Sequence, residues 1–438
     1  MSYPTHPGSN KPLRALGATL SRIGFATLLA IGAQHTYAAP LTFGDALRLA
    51  QERSLQLPAQ DAAAAAARDM AVAAGQRPDP VLKTGLSSLP ISGPDRFSFA
   101  RDNFTMLTVG VSQELTRSSK LTARTSRLER EAEVAQAGRE LALGKLRSVT
   151  AAAWLDRHYQ ERMRELLATL RDEARLQIDA ADAAYRGGRG SQADVFAARS
   201  SVAQIEDRIA QVDRQIATAT TQLIRWVGAS AAEPLGSPPV VDALRLSAED
   251  IETQLAHHPQ ITLMVRQEAM AQADALLAQA NQQSDVSVEL SYSQRASSYS
   301  NMVSLNLSMP LQWDPKNRQD RELAAKLSVV KQMRAEREEA TRAHVAEARA
   351  MLQEWQSDRE RLKRYDTLLL PLAIERTHAS IAAYRGASGS LTGVLEARRS
   401  EIDTRMERLR LEMDAGRLWA QLNYLVLADH DAPSAFRP

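Results

Sequence analysis

The sequence predicts a mainly α-helical fold with a small β part, arranged as two structural repeats of long antiparallel helices plus a β-hairpin. Residues 183–199 (AAYRGGRGSQADVFAAR) and 382–398 (AAYRGASGSLTGVLEAR) align without a gap at an offset of 199, and 10 of 17 positions are identical. Long stretches with helical apolar spacing flank both segments, and short alternating stretches precede them. Such a long internal repeat indicates that one supersecondary unit occurs twice.

The composition argues against several classes of function. The 438 residues are 24% charged with a formal net charge of +2, only 5% are aromatic, and there is no cysteine. Nucleic-acid binding is not favoured, because it is marked by clustered basic residues and specific modules. A disulfide framework and thiol chemistry are excluded. The histidines lack metal-ligand spacing, and no phosphate loop or nucleophile motif occurs, so the sequence predicts no enzyme, no cofactor and no metal site.

Residues 1–38 have the pattern of a secretory signal peptide. Lys11, Arg14 and Arg22 form a basic lead without acids, and residues 23–33 (IGFATLLAIGA) form an apolar core. The segment Thr36-Tyr37-Ala38 then places small residues where a signal peptidase needs them, and we expect cleavage after Ala38. The alternative is an N-terminal anchor helix, which the short apolar core disfavours because a membrane span needs about 20 apolar residues.

Local signals predict the first two helices. Thr42 and Asp45 resemble a capping box, so a short helix should begin at Phe43. Pro58 is expected in the first turn of the next helix, where its missing N–H costs little. Residues 77–80 (RPDP) should end that helix, because two prolines remove donors and favour extended backbone.

The first repeat is predicted to cover residues 39–232. Its hairpin should lie within residues 81–115, where the apolar period changes from helical to alternating. A proline-free helix is predicted over 121–186, followed by a glycine-containing turn at 186–191 and a returning helix over 191–227.

The second repeat is predicted to cover residues 233–438 with the same plan. Its hairpin should lie within residues 286–311, bounded by prolines at its end. The long helical stretch 321–385 should be kinked at Pro371. The helix turn is predicted at 385–390, and a returning helix follows it.

The four predicted strands each have an apolar and a polar face. Two hairpins cannot close a barrel, and open sheet edges are not tolerated in lipid. Three chains would supply twelve strands, an even number within the range of bacterial outer-membrane barrels. The alternative is a soluble sheet that covers a helical core; the signal peptide, the long helices and the repeat favour the membrane. The residues expected to face lipid are Leu107, Val109, Val111, Val286, Val288, Leu290, Val303, Leu305 and Leu307.

Several segments carry a family resemblance. They are LTFGDALRLA (41–50), AGQRPDPVL (74–82), SMPLQWDPKNR (308–318) and the two repeated turns. In their order and spacing the chain resembles the TolC-like outer-membrane efflux family, and more narrowly its heavy-metal (CzcC- or CusC-type) or drug efflux members. The resemblance implies a homotrimer with a 12-stranded outer-membrane β-barrel and a periplasmic α-barrel, in a Gram-negative bacterium. It also implies outer-membrane lipid, a periplasmic adaptor (membrane fusion) protein and an inner-membrane RND-type pump as partners.

The resemblance places the periplasmic entrance at the two helix turns. The family's acidic pattern matches at Asp194, whereas Gly393 replaces the first acid of the second pattern and leaves Glu396 as the candidate there. Four further residues are expected at this entrance, with arginine–acid pairs that hold the turns shut. They are Tyr185, Arg186, Tyr384 and Arg385. The alternative role of these four is plain packing and pairing with the helix C-terminal dipole.

The function implied by the resemblance is an outer-membrane exit duct of a tripartite efflux system for metal cations or drugs. Two alternatives remain at this point. One is a type I secretion duct, and the other is a periplasmic coiled-coil scaffold or adaptor that transports nothing. The sequence does not identify the cargo.

Overall fold

A computed structural model describes residues 40–244, 253–254 and 256–425, so the predicted signal peptide lies outside the described residues. The helices are α1 (Phe43–Arg53), α2 (Gln56–Ala74), α3 (Ser118–Arg186), α4 (Gln192–Val227), α5 (Pro259–Ala280), α6 (Gln319–Arg364), α7 (Leu370–Arg385) and α8 (Leu391–Asn423). The strands are β1 (Val81–Ser87), β2 (Met106–Leu115), β3 (Val286–Gln294) and β4 (Met302–Ser308).

Helix α3 is the longest element and is continuous over 69 residues. It spans roughly 100 Å at ~1.5 Å per residue. Its C-terminus at Arg186 confirms the predicted boundary, and its N-terminus at Ser118 lies slightly before the predicted one. Because α4 returns along it after a short turn, the pair forms a helical hairpin.

The second long helical stretch is interrupted where a kink was predicted, but the irregularity begins earlier. Residues Tyr365–Leu369 form a π-helical turn between α6 and α7, and Pro371 lies in the first turn of α7. Proline has no N–H to donate to the carbonyl four residues before it. The backbone ahead of Pro371 therefore widens into a π-turn, a known device for absorbing an irregularity inside a helix.

The main core lies where α1, α3, α4 and α8 meet. Trp154 of α3 is fully buried, its indole N–H donates to the carbonyl of Leu41 at 3.2 Å, and Phe43 meets its ring edge-on. The predicted N-cap is confirmed, because the Thr42 hydroxyl accepts from the backbone N–H of Asp45. A large aromatic side chain buried in this way stabilises the fold by about 2–3 kcal/mol, so Trp154 fixes the start of the described chain against the long helices.

The four strands form one antiparallel sheet in the order β1-β2-β3-β4. This corrects the expectation of two separated hairpins, because β2 pairs with β3 from Leu107↔Gln294 to Leu115↔Val286. The pairing satisfies backbone N–H and C=O groups that two isolated hairpins would leave open on their inner edges. Within the described chain, β1 and β4 remain as the outer edges of the sheet.

Candidate functional site

The strand register sorts the sheet residues into two faces, because directly paired residues lie on the same side. Val111 pairs with Leu290, and Leu290 pairs with Leu305. All nine residues expected to face lipid follow this register and share one face. Most of them are exposed, up to 71% for Val303 and 69% for Leu307.

The opposite face is polar, and it is better covered on the central strands β2 and β3 than on the outer strands β1 and β4. Ser291 and Ser293 on β3 are buried, at 6% and 7% exposure. The hydroxyls of Thr108 and Ser293 are 2.9 Å apart across β2 and β3. A sheet that covers a helical core would bury its apolar face and expose its polar face. Here the apolar face is exposed, so the described helices do not cover this sheet in the way that the soluble alternative requires.

The two helix turns have the same backbone geometry. In the first, Gly188 N–H donates to the Tyr185 carbonyl and Gly190 N–H to the Ala184 carbonyl, at 3.0 and 3.1 Å. In the second, the same two bonds join Ala387 to Tyr384 and Gly389 to Ala383, at 3.1 and 3.0 Å. The sequence repeat is therefore a repeat of hydrogen bonds at the same offset.

One position in these turns needs a left-handed backbone. Gly188 has φ 68°, and its counterpart Ala387 has φ 58°. Glycine adopts this conformation without cost, whereas alanine is strained there because its Cβ approaches the backbone. The first turn is thus relaxed and the second carries a strained residue.

Asp194 is held by the N-terminus of its own helix. Its carboxylate accepts from the backbone N–H and the hydroxyl of Ser191, and the Ser191 hydroxyl accepts from Asp194 N–H, which completes a capping box. The backbone hydrogen bond from Ser191, together with the hydroxyl, lowers the pKa of Asp194. In the second turn Ser390 also caps α8, but Gly393 has no carboxylate to return the bond.

Glu396 is exposed on the first turns of α8 and has no ion pair within the described residues. It borders a shallow groove between α8 and the π-turn, which Tyr365, Arg399 and Asp403 also line. Of the two acids predicted at the entrance, Glu396 is therefore the one whose carboxylate is not used by the fold around it.

The other four predicted entrance residues occupy unequal environments. Tyr384 is half-buried and packs on a cluster shared by α3, α4 and α8, whereas its counterpart Tyr185 is 46% exposed. Arg186 pairs with Asp182 of its own helix at 2.5 Å. Arg385 is exposed and has no ion pair in the described part of the chain. Neither arginine reaches Asp194 or Glu396 within the described residues.

A charged network that the sequence did not reveal lies just behind the second turn. Arg398 of α8 pairs with Glu173 of α3 at 2.6 Å and approaches Glu401 at 3.5 Å. Glu401 is buried and pairs with Arg405 at 2.7 Å. The equivalent of Arg398 in the first repeat, Arg199, is exposed. Nothing in the repeat motif separates these two arginines, because the difference comes from helix packing.

The described residues include no group of three or more histidine, cysteine or acidic side chains arranged to hold a metal ion. None of the described helices is both long enough and apolar enough to span a membrane. The two features of this chain that stand out chemically are the two-faced sheet and the paired helix turns.

Comparisons with known proteins agree with the resemblance seen in the sequence. Residues 46–229 match the family model described as outer membrane efflux protein. The outer-membrane channel OprN superposes with a TM-score of 0.74 at 15% identity, over 87% of this chain and 89% of that one. VceC, an outer membrane protein of Vibrio cholerae, superposes at 0.73 with 18% identity, over 87% and 95%. CusC, a transmembrane channel, superposes at 0.72 with 15% identity, over 91% and 95%. No curated protein sequence matches the chain.

Proposed function

We propose that this chain, whose residues 46–229 match the outer membrane efflux protein family, is the outer-membrane exit duct of a tripartite efflux system. It would pass substrates from a periplasmic adaptor and an inner-membrane pump to the exterior of a Gram-negative bacterium. A duct conducts substrates and catalyses no reaction, in keeping with relatives that are channels.

The observation that carries the proposal is the exposed apolar face of the sheet. An apolar face with Val303, Leu305 and Leu307 all more than 60% exposed is costly in water, since each such side chain gains about 1.5–3 kcal/mol on leaving it. The polar face supplies hydroxyl and amide groups suited to a wet interior. Both faces are explained if the apolar face contacts lipid outside a barrel and the polar face contacts water inside it.

The sheet edges support assembly from several copies. Among the residues that the structure describes, nothing pairs with the outer edges of β1 and β4, and lipid does not tolerate such open edges. Pairing β1 of one chain with β4 of the next would close the sheet, and a homotrimer would give twelve strands. The long helices would continue such a barrel into the periplasm, where the helix turns would face the adaptor.

The entrance would be formed by the two turns. In a trimer Glu396 and Asp194 would each occur three times around a narrow axis, and rings of carboxylates attract cations. Glu396 is the stronger candidate because its carboxylate has no partner within the described chain, whereas Asp194 caps α4. Tyr185, Arg186, Tyr384 and Arg385 would border this opening, with Arg385 the arginine that is open to a contact from another chain.

The class of cargo, metal cations or drugs, is not distinguished by the described residues. A type I secretion duct would use the same architecture and differ in its partners. A non-transporting scaffold is less well supported, because a helical scaffold has no use for an exposed apolar sheet face.

The test is to isolate the full chain from membranes and measure its assembly and conductance. We expect extraction only with detergent, a heat-sensitive oligomer about three times the chain mass on gels, and discrete conductance steps in planar bilayers. A chain that fractionates with the periplasmic contents as a monomer and gives no conductance would rule out the duct. Deletion of the chain in its host, followed by uptake assays with metal salts and with drugs, would then separate the cargo classes.

A further inference from the structure

An ion pair crosses the polar face of the sheet between strands that are not neighbours. The ammonium of Lys83 on β1 lies 2.5 Å from a carboxylate oxygen of Glu289 on β3. Strand β2 runs between them, so the two backbones are about 10 Å apart. The pair joins the first hairpin to the second on the side that would line the passage.

The crossing depends on a gap in β2. Lys83 pairs across the ladder with Gly110, and Glu289 pairs with Ser112, so the ion pair crosses β2 diagonally. On β2 it passes Gly110, which has no side chain, and Ser112, which has a small hydroxyl. A Cβ at Gly110 would lie 2.7 Å from the Cβ of Ser291, closer than real side chains approach. Gly110 therefore keeps this part of the polar face flat enough for Lys83 to reach Glu289.

The rest of this face carries few charges. Its strand positions are mostly small hydroxyl and amide side chains, and in the register of the described strands its charged members are Lys83, Glu289 and Glu114. Glu114 lies near the helical end of β2, and its carboxylate accepts from the hydroxyl of Thr116. One cation and two carboxylates leave a formal charge of −1 on this face in each chain.

Resting on the proposed duct function, we propose that Lys83 and Glu289 determine the charge selectivity of the β-walled passage. Lys83 neutralises Glu289 and holds its carboxylate against the wall, so small anions and cations meet a nearly neutral surface at this level. Removing one partner would expose the charge of the other, and repetition in each copy would turn it into a charged ring. Rings of charged side chains are the usual basis of selectivity between cations and anions.

The experiment is a set of reversal-potential measurements on the reconstituted full-length channel in a potassium chloride gradient. Lys83→Ala lowers the formal charge of the face from −1 to −2 per chain, and we expect the reversal potential of the channel to shift toward the potassium equilibrium potential. Glu289→Gln brings the charge to 0, and we expect a shift in the opposite direction. The double variant restores −1 and should return to the wild-type value.

Two further variants separate charge from structure. Lys83→Glu/Glu289→Lys keeps an ion pair in reverse order and should conduct with wild-type selectivity, whereas Asp69→Asn removes an exposed helical carboxylate outside the sheet and should change nothing. Wild-type reversal potentials in both single variants would overturn the inference and leave the duct intact. Absence of conductance from the wild-type chain would overturn the proposed function itself, and the inference with it.

Discussion

Lys120 Nζ lies 2.6 Å from Asp285 Oδ2, and the two side chains are only 9% and 13% exposed. Lys120 is in the first turn of α3, and Asp285 directly precedes β3. The same carboxylate accepts from the backbone N–H of Arg117 at 3.0 Å. One buried pair thus connects the strand-to-helix junction of the first repeat to the helix-to-strand junction of the second.

The first prediction concerns this pair. Lys120→Met leaves the Asp285 carboxylate buried without its cation, and we expect a loss of about 3 kcal/mol in the free energy of unfolding. The loss should appear as a lower midpoint temperature for thermal dissociation of the detergent-solubilised oligomer. Arg342→Met is the matched control, because its pair with Glu339 in α6 is exposed on both sides and should be worth at most about 1 kcal/mol. Equal losses in the two variants would contradict the prediction.

The second prediction is a pH dependence at the start of α5. His258 caps this helix by accepting from Gln260 N–H, and its ring stacks on His344 at 4.7 Å. Burial, together with the neighbouring His344, lowers the pKa of His258 from 6.5 to about 4. Between about pH 4 and pH 6.5 this imidazole is protonated in the unfolded chain and neutral in the folded chain. Its contribution to the free energy of unfolding is therefore complete above pH 6.5 and is lost as the pH falls toward 4.

The variant His258→Asn tests this dependence, because asparagine keeps the N-cap and removes the titrating ring. Its melting temperature should fall less than that of the wild type between about pH 6.5 and pH 5. His378→Asn, at an exposed position of α7, serves as the control and should follow the wild type. An unchanged slope in the His258 variant would show that other groups cause the acid sensitivity.

The third prediction concerns the two sheet faces. Leu305→Arg puts a charge on the apolar face, and an arginine near the middle of a bilayer costs about 2–4 kcal/mol in each chain. We expect the oligomer to disappear from the membrane fraction on a heated-versus-unheated gel. Asn306→Arg, at the adjacent position on the polar face beside Glu289, should assemble. Assembly of both variants would mean that Leu305 does not face lipid.

The fourth prediction concerns the continuity of α3. Ala152→Pro removes a hydrogen bond from the helix interior and should cost about 3 kcal/mol or more. Ser118→Pro is the control, since the first helical position has no intrahelical acceptor for its N–H and Arg117 before it is already extended. The helical signal in circular dichroism and the yield of oligomer should fall only for Ala152→Pro. Equal behaviour would argue against one uninterrupted helix.

The fifth prediction concerns the entrance. Glu396→Gln should weaken the cation preference of single channels and their block by multivalent cations, because Glu396 has no ion pair in the described chain. Asp194→Asn retains a side chain that can cap α4 and should change conductance less. Arg385→Ala should raise conductance if this arginine holds the entrance closed. Wild-type conductance in all three variants would place the constriction elsewhere.

Much of the fold could be predicted from the sequence, because its local signals agree with its global plan. The glycines after Arg186 and the serine at 191 mark a helix end and a helix start, and the structure places both there. Alternation identified the four strands and sorted nine apolar residues onto one face, since side chains in a strand alternate with a period of two.

The features that could not be predicted depend on contacts between distant parts of the chain. The β2–β3 pairing joins segments separated by all of α3 and α4, and periodicity does not report partners. Lys83 and Glu289 lie on one face by strand parity, but their pairing needs the register and the gap at Gly110. Burial of Glu401 likewise follows from how α8 packs on α3, which its local sequence does not encode.

The strained alanine at 387 makes the two turns mechanically unequal. Gly188 adopts its left-handed backbone freely, whereas Ala387 holds the same angle at a cost of about 1 kcal/mol. In the proposed trimer, three relaxed glycine turns and three strained alanine turns would alternate around the rim. Because each alanine turn would release its strain on leaving the left-handed region, we expect these three turns to change conformation before the glycine turns, so the entrance would open with threefold rather than sixfold symmetry.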